Sequence, residues 1–172
     1  MAMKINSLRE LFISQLREAY DVESQIERTL PKVIQHASHA ELKDLIHLHL
    51  GQTKEQARRI ERCFEILREE PKTETAEGIK GIIKGAEHLA DREGDPAAID
   101  AGIIASTQKV EHYEIALYGT LCTYAEMLGE QECLALLQQT LSEEKEADQK
   151  LTALAERVIN VNAMKGGQTR HA

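Results

Sequence analysis

Apolar residues recur along this chain at spacings of three and four, the period of amphipathic helices, in four long stretches and one short one. The first stretch carries Phe12, Leu16, Ala19, Ile26 and Leu30 and extends toward Ile34. Asn6 or Ser7 can cap it, with Glu10 three residues after Ser7 to complete a capping box. Pro31 falls inside the pattern and predicts an end or a kink there. A second helix is predicted from residues 38–40 to about Glu70, where Pro71 stops it, followed by a loop over 71–78. A short, glycine-interrupted helix over 79–90 comes next. The clearest break is Arg92-Glu93-Gly94-Asp95-Pro96, in which Asp95 suits an N-cap and Pro96 the first helical position. The third long helix then runs to Leu128, with Gly129 as its C-cap residue, and the fourth fills Glu130 to about Val161.

Helices of roughly 30 residues are about 45 Å long. Four of them, joined by short connections except for one long crossing between the second and third, predict an all-α protein. The architecture expected is a ferritin-like four-helix bundle with a short extra helix in the crossing. Residues 1–163 would form this single domain, and residues 164–172 a flexible tail.

Placed on a four-three repeat, the third long helix presents Ile104, Thr107, Glu111, Glu114, Tyr118, Leu121, Ala125 and Leu128 along one seam. The fourth presents Leu137, Leu141, Glu144, Asp148, Leu151, Ala155 and Val158. On the first, Leu16, Tyr20, Glu23 and Leu30 share a stripe flanked by Ile26. On the second the stripe runs Leu42, Ile46, His49, Thr53, Gln56, Ile60 and Cys63 or Phe64, with Gln52 alongside. Every long helix thus interrupts its apolar stripe at mid-length with metal-ligating groups: Glu23, His49, Gln52, Glu111, Glu114, Glu144 and Asp148. Taken singly, an Glu-x-x-Glu pair is usually a solvated face, and a lone histidine is more often packing than ligand. Coincidence on four helices points inward instead. A buried unpaired carboxylate costs several kcal/mol, and five at one level would repel one another. Proton sharing with raised pKa values is one escape, and a multivalent cation is the other. Clustered Glu with His suits iron or manganese, whereas no cysteine shares that level to favour zinc thiolate.

Composition fits this picture. Hydrophobic residues make up 42% of the 172, but aromatics only 3%, so the core is built from Leu, Ile, Ala and Val. A net charge of -8 argues against nucleic acid or an anionic membrane as partner. No apolar run approaches the roughly 20 residues that cross a bilayer, and the first ten residues lack a signal-peptide apolar stretch. Cys63, Cys122 and Cys133 form no Cys-x-x-Cys pair and fit the reduced thiols of a cytoplasmic protein.

The stretch Gln108–Leu121, Gln-Lys-Val-Glu-His-Tyr-Glu-Ile-Ala-Leu-Tyr-Gly-Thr-Leu, followed by Leu141–Leu151, resembles the YciE/YciF-like family of bacterial stress-associated proteins. The resemblance spans nearly the whole chain, including residues 16–25. It implies a bundle similar to ferritin and rubrerythrin, a homodimer, and a di-iron site. By that resemblance Glu23 is the carboxylate of the first helix and Glu111 and Glu114 are the paired acids of the third. Glu144 and Asp148 stand where rubrerythrin-like relatives carry Glu-x-x-His, but four residues apart rather than three. The second helix departs most: family members tend to read His-Leu-Glu-Glu-Thr where this chain has His49-Leu50-Gly51-Gln52-Thr53. An amide in place of two acids argues for a single metal, or an asymmetric pair with one weak position.

Two functions follow as expectations. One is an iron centre with ferroxidase or peroxidase-like chemistry toward oxygen or peroxide, with a manganese pair as a variant. The other is a non-enzymatic structural stress protein with a vestigial or single-metal site. A helical adaptor ranks below both, because regular apolar stripes favour self-packing.

Overall fold

A computed structural model describes residues 5–166, and among these every regular element is helical. The long helices are α1 (Leu8–His36), α2 (Ala40–Leu67), α4 (Pro96–Leu128) and α5 (Gln131–Leu154), with α3 (Glu77–Ala90) in the crossing. Packing runs in a ring: α1 on α2, α2 on α5, α5 on α4, and α4 on α1. The consecutive long helices α2 and α4 therefore lie across the diagonal, and α3 packs on α4 and α1 as it carries the chain between them. No described helix is long and apolar enough to cross a membrane.

Both ends of the bundle are clasped by polar contacts. At one end the starts of α2 and α4 meet, where the Ser38 and His39 backbone N–H groups donate to the buried Asp100 carboxylate at 2.7 and 2.9 Å. Asp100 thus caps a helix 60 residues away, and the contact makes α2 and α4 parallel. At the other end Arg9, near the start of α1, donates to the Leu67 carbonyl at the end of α2 and to Glu130 before α5, each at 3.1 Å. The segment between α2 and α3 is stitched to α1: the Ala76 N–H donates to Asp21 at 2.9 Å, and Ser14 Oγ to Glu74 at 2.6 Å.

The expected helices are all present, with four differences at their ends. Ser7 caps α1 by accepting from the Glu10 N–H at 3.2 Å, but the return bond from Glu10 goes to the Asn6 N–H at 2.6 Å. Pro31 does not end α1, which continues to His36. The proline is exposed, and burial of Leu30 and Val33 around it offsets the backbone bond it cannot make. Helix α2 ends at Leu67 rather than near Glu70, in a Schellman motif whose left-handed residue is Arg68, φ 57°. The fourth difference is in the fourth long helix, which breaks into a π-helical turn at Ala155–Ile159 and resumes as α6 (Asn160–Gly166). Asn160 N–H bonds to the Ala155 carbonyl, and the extra residue of the π turn swings buried Ile159 inward while Val158 is only half-buried. Residues 164–166 of the expected tail are thus helical, with Gly166 lying close against the Asp95 side chain. The remainder, 167–172, lies outside the described residues.

Asp100→Ala leaves two N–H groups at the start of α2 without their acceptor. It is expected to lower stability by about 1–3 kcal/mol, read as a lower denaturant midpoint at unchanged slope. An unchanged midpoint would show that the cap does not hold α2 to α4.

Candidate metal centre

Midway along the bundle the four long helices deliver polar side chains to one place. Glu23 comes from α1, His49 and Gln56 from α2, Glu111 and Glu114 from α4, and Glu144 from α5. All are between 0% and 3% exposed. The helical repeat explains the convergence, because each residue continues the inward stripe of its helix, with apolar layers above and below.

One ligand atom each from His49, Glu111, Glu114 and Glu144 lies within 4.8 Å of the others. His49 Nδ1 is 3.6 Å from Glu111 Oε1, and Nε2 is 4.0 Å from Glu114 Oε2. These separations are too long for hydrogen bonds. Both ring nitrogens of His49, both oxygens of Glu111 and of Glu114, Oε2 of Glu23 and of Glu144, and Oε1 of Gln56 have no hydrogen-bond partner among the described residues while the acids are ionised; protonated, Glu111 can bond to Glu144 and Glu114 to Glu23. The remaining oxygens are held from outside. The Tyr118 hydroxyl donates to Glu23 Oε1, and the Gln56 amide donates to Glu144 Oε1 and, at 3.2 Å, to Glu143. Arg59 grips Glu143 through both guanidinium nitrogens at 2.7 Å and reaches the Thr140 hydroxyl at 3.1 Å. The nearest cation is therefore engaged one layer out.

Burial and mutual repulsion set the protonation of this cluster. Burial first, then the Glu144 charge, pushes Glu23 up to about 8, against the downward pull of the Tyr118 hydrogen bond. Burial, with the neighbouring carboxylates, holds Glu111 and Glu114 well above the usual range. Burial also lowers His49 below its ordinary value, opposed by the Glu144 charge. Without a cation the site at neutral pH carries shared protons and a neutral imidazole.

Of the seven residues singled out from the sequence, Glu23, His49, Glu111, Glu114 and Glu144 converge here, while Gln52 and Asp148 lie at the margin. Gln52 is half-buried and, with His49, Glu111 and Lys150, lines a cavity of about 20 Å³ opening between α2 and α5. Asp148 has a side chain 20% exposed, accepts from Gln108 at 3.0 Å and faces His112 at 3.4 Å. The cause is helical phase. With Thr140 and Glu144 on the axis of α5, the next inward point falls between Ala147 and Asp148, so neither side chain points straight in. Gln56 was not among the candidates, although it stands on the same stripe of α2, seven residues after His49.

The chain belongs to the family described as a domain of unknown function, DUF892, which it matches over residues 7–164. It is similar to protein YciF of Escherichia coli, with 38% identity over 161 residues that cover 93% of this chain and 96% of that protein. The crystal structure of that E. coli stress protein superposes with a TM-score of 0.87 over 91% of this chain and 99% of that one. YcfI of Rhodopseudomonas palustris does so with 0.85 at 38% identity, over 88% and 97%. A Xanthomonas campestris protein reaches 0.72 at 25% identity, over 92% and 97%. The chain is thus a YciF-like protein in sequence and in fold.

The raised carboxylates make a signed prediction for the metal-free protein. A group whose pKa is higher folded than unfolded adds stability below its unfolded pKa and loses it as pH rises through the folded one. Lowering the pH from 9 to 7 is therefore expected to raise the Tm in calorimetry. Below about 6.5 the neutral, buried His49 opposes any further gain. A Tm that does not rise as the pH is lowered from 9 to 7 would mean that these acids are already ionised in the folded protein.

Proposed function

We propose that the protein is a metal-binding member of this stress-associated family, holding iron in the four-helix cluster, with manganese as the alternative occupant. The observation that supports this is the set of orphaned atoms on His49, Glu111, Glu114, Glu144 and Glu23. A buried acceptor left unpaired costs about 1–3 kcal/mol, and more when charged, which a bound cation offsets. Several carboxylate oxygens with one imidazole suit iron or manganese better than softer metals. His49, Glu111, Glu114 and Glu144 would hold the principal ion. Glu23, with Oε2 free, would serve a second and weaker position, because α2 offers the amides of Gln52 and Gln56 where a second acid is wanted.

Bound iron supplies one-electron chemistry toward dioxygen or peroxide. The chain's own residues do the rest. Apolar layers on either side keep bulk water out, Gln56 fixes the orientation of Glu144, and the Tyr118 hydroxyl fixes that of Glu23. Glu111 and Glu114 give up protons as a cation arrives, so binding strengthens with rising pH. The cavity whose partly aliphatic wall carries Gln52, Glu143, Glu146 and Lys150 would be the approach for ions, and the net charge of -8 draws cations toward the protein. A homodimer and a cytoplasmic location belong to the same reading, on the resemblance and the cysteine pattern.

Elemental analysis of tag-free protein purified without chelators tests this. Between one and two irons per chain are expected in the wild type, with metal lost in Glu114→Ala. The metal-free Glu114→Ala protein should be as stable as the metal-free wild type or more so, because a buried carboxylate is gone. No uptake after anaerobic loading with Fe(II) or Mn(II) would leave a structural stress protein with a vestigial site.

A further inference from the structure

Two cavities reach the level of His49 and Thr107 from opposite sides. The polar one has been described above. The other, of about 30 Å³, lies between α1 and α4 beneath α3, walled by Ile26, Leu30, Val33, Ile83, Ile103 and Val110. Its polar neighbours, Thr29, His49, Ser106 and Thr107, are a minor part of a mostly aliphatic wall. The Thr29 and Thr107 hydroxyls donate to the Gln25 and Ile103 carbonyls of their own helices at 2.8 and 2.9 Å. The His49 ring nitrogens lie nearest the acids, at 3.6 Å from Glu111 and 4.0 Å from Glu114. A buried water needs two to four polar partners, whereas apolar cavities stay dry and accept xenon or small hydrocarbons. The volume exceeds the roughly 10–15 Å³ that a water requires on this measure, and a diatomic molecule fits.

From this we infer that the cavity beneath α3 is a binding site for a small nonpolar molecule, dioxygen, held one side chain away from the carboxylate cluster. The two approaches to the site then differ in chemistry: ions and peroxide by the polar mouth, dioxygen from the apolar side. The roof suits entry. Gly81 and Gly85 of α3 pack against nothing within 4 Å of where a Cβ would stand, so close packing does not require them, and glycine lowers the intrinsic stability of this helix. The consequence for reactivity rests on the metal reading above. Dioxygen that takes one electron from each of two ferrous ions, together with two protons, leaves as hydrogen peroxide beside two ferric ions.

Xenon tests the cavity without any metal. A xenon-pressurised crystal of the full metal-free chain should hold xenon between Ile26, Val33, Ile83 and Ile103, and Ala86→Leu, which fills the cavity from the roof, should abolish that site. Ordered water there, with no xenon, overturns the proposal even if the variant fails to fold. In wild-type protein loaded with Fe(II), dioxygen and hydrogen peroxide should each oxidise the metal. Ala86→Leu should slow the dioxygen reaction several-fold while leaving Fe(II) binding and the peroxide reaction unchanged. Equal slowing of both, or of neither, overturns the delivery role. Failure of the wild type to bind Fe(II) would instead sink the metal reading, and the xenon result would still decide what the cavity holds.

Discussion

Four carboxylates from three helices share one buried level with a single imidazole from the fourth, and most of this protein's architecture can be read as a response to that demand. Charge at that level is costly, and the described residues provide no cation inside it; Arg59 is engaged one layer out with Glu143. The cost is shared between protons held on Glu23, Glu111 and Glu114 and hydrogen bonds from Tyr118 and Gln56, each of which satisfies only one oxygen. Of the atoms left over, one each from His49, Glu111, Glu114 and Glu144 lie within 4.8 Å of one another.

Holding such a layer together requires helices that cannot slide. A shift of one residue along any helix turns an inward acid by about 100°, toward solvent or into an apolar layer. The clasps at the two ends prevent this. Asp100 binds the start of α2 to α4 across the diagonal, and Arg9 ties α1 to the end of α2 and the approach to α5. The apolar layers between these clasps and the acids include the fully buried Phe12, Leu16 and Phe64 toward one end and Leu42, Ile46 and Ile103 toward the other. Side chains packed at this density do not exchange registers freely.

Helix α2 is where the site is asymmetric. His49 reaches the cluster, Gln52 stays at the mouth, and Gln56 turns its donor face to Glu144. An amide can orient a carboxylate by donating to it, which a second carboxylate could do only if protonated. The same residue therefore supports one ligand and declines to be a full ligand itself. On the proposed reading, this asymmetry would give one strong metal position and one weak one.

The helices, their order and the inward seams were legible in the sequence, because burial imposes the same 3.6-residue period on Glu23, Glu111, Glu114 and Glu144 as on the leucines around them. Asp95 and Gly129 were legible too, since caps depend on local backbone chemistry. The end of α2 was not: Arg68 adopts a conformation that glycine would signal, and the helix ends where Arg9, distant in sequence, takes up the Leu67 carbonyl. The π turn was equally hidden, and with it the exchange of Val158 for Ile159 in the core. Periodicity alone could not separate Glu144 from Asp148, which lie one turn apart. Only the packing of α5 against α2 and α4 decided that Glu144 enters the centre while Asp148 turns to Gln108 and His112. Sequence spacing thus determined which face of each helix is buried. Which atoms meet there depended on the angle at which four rigid helices pack, and that angle is set by the whole core at once.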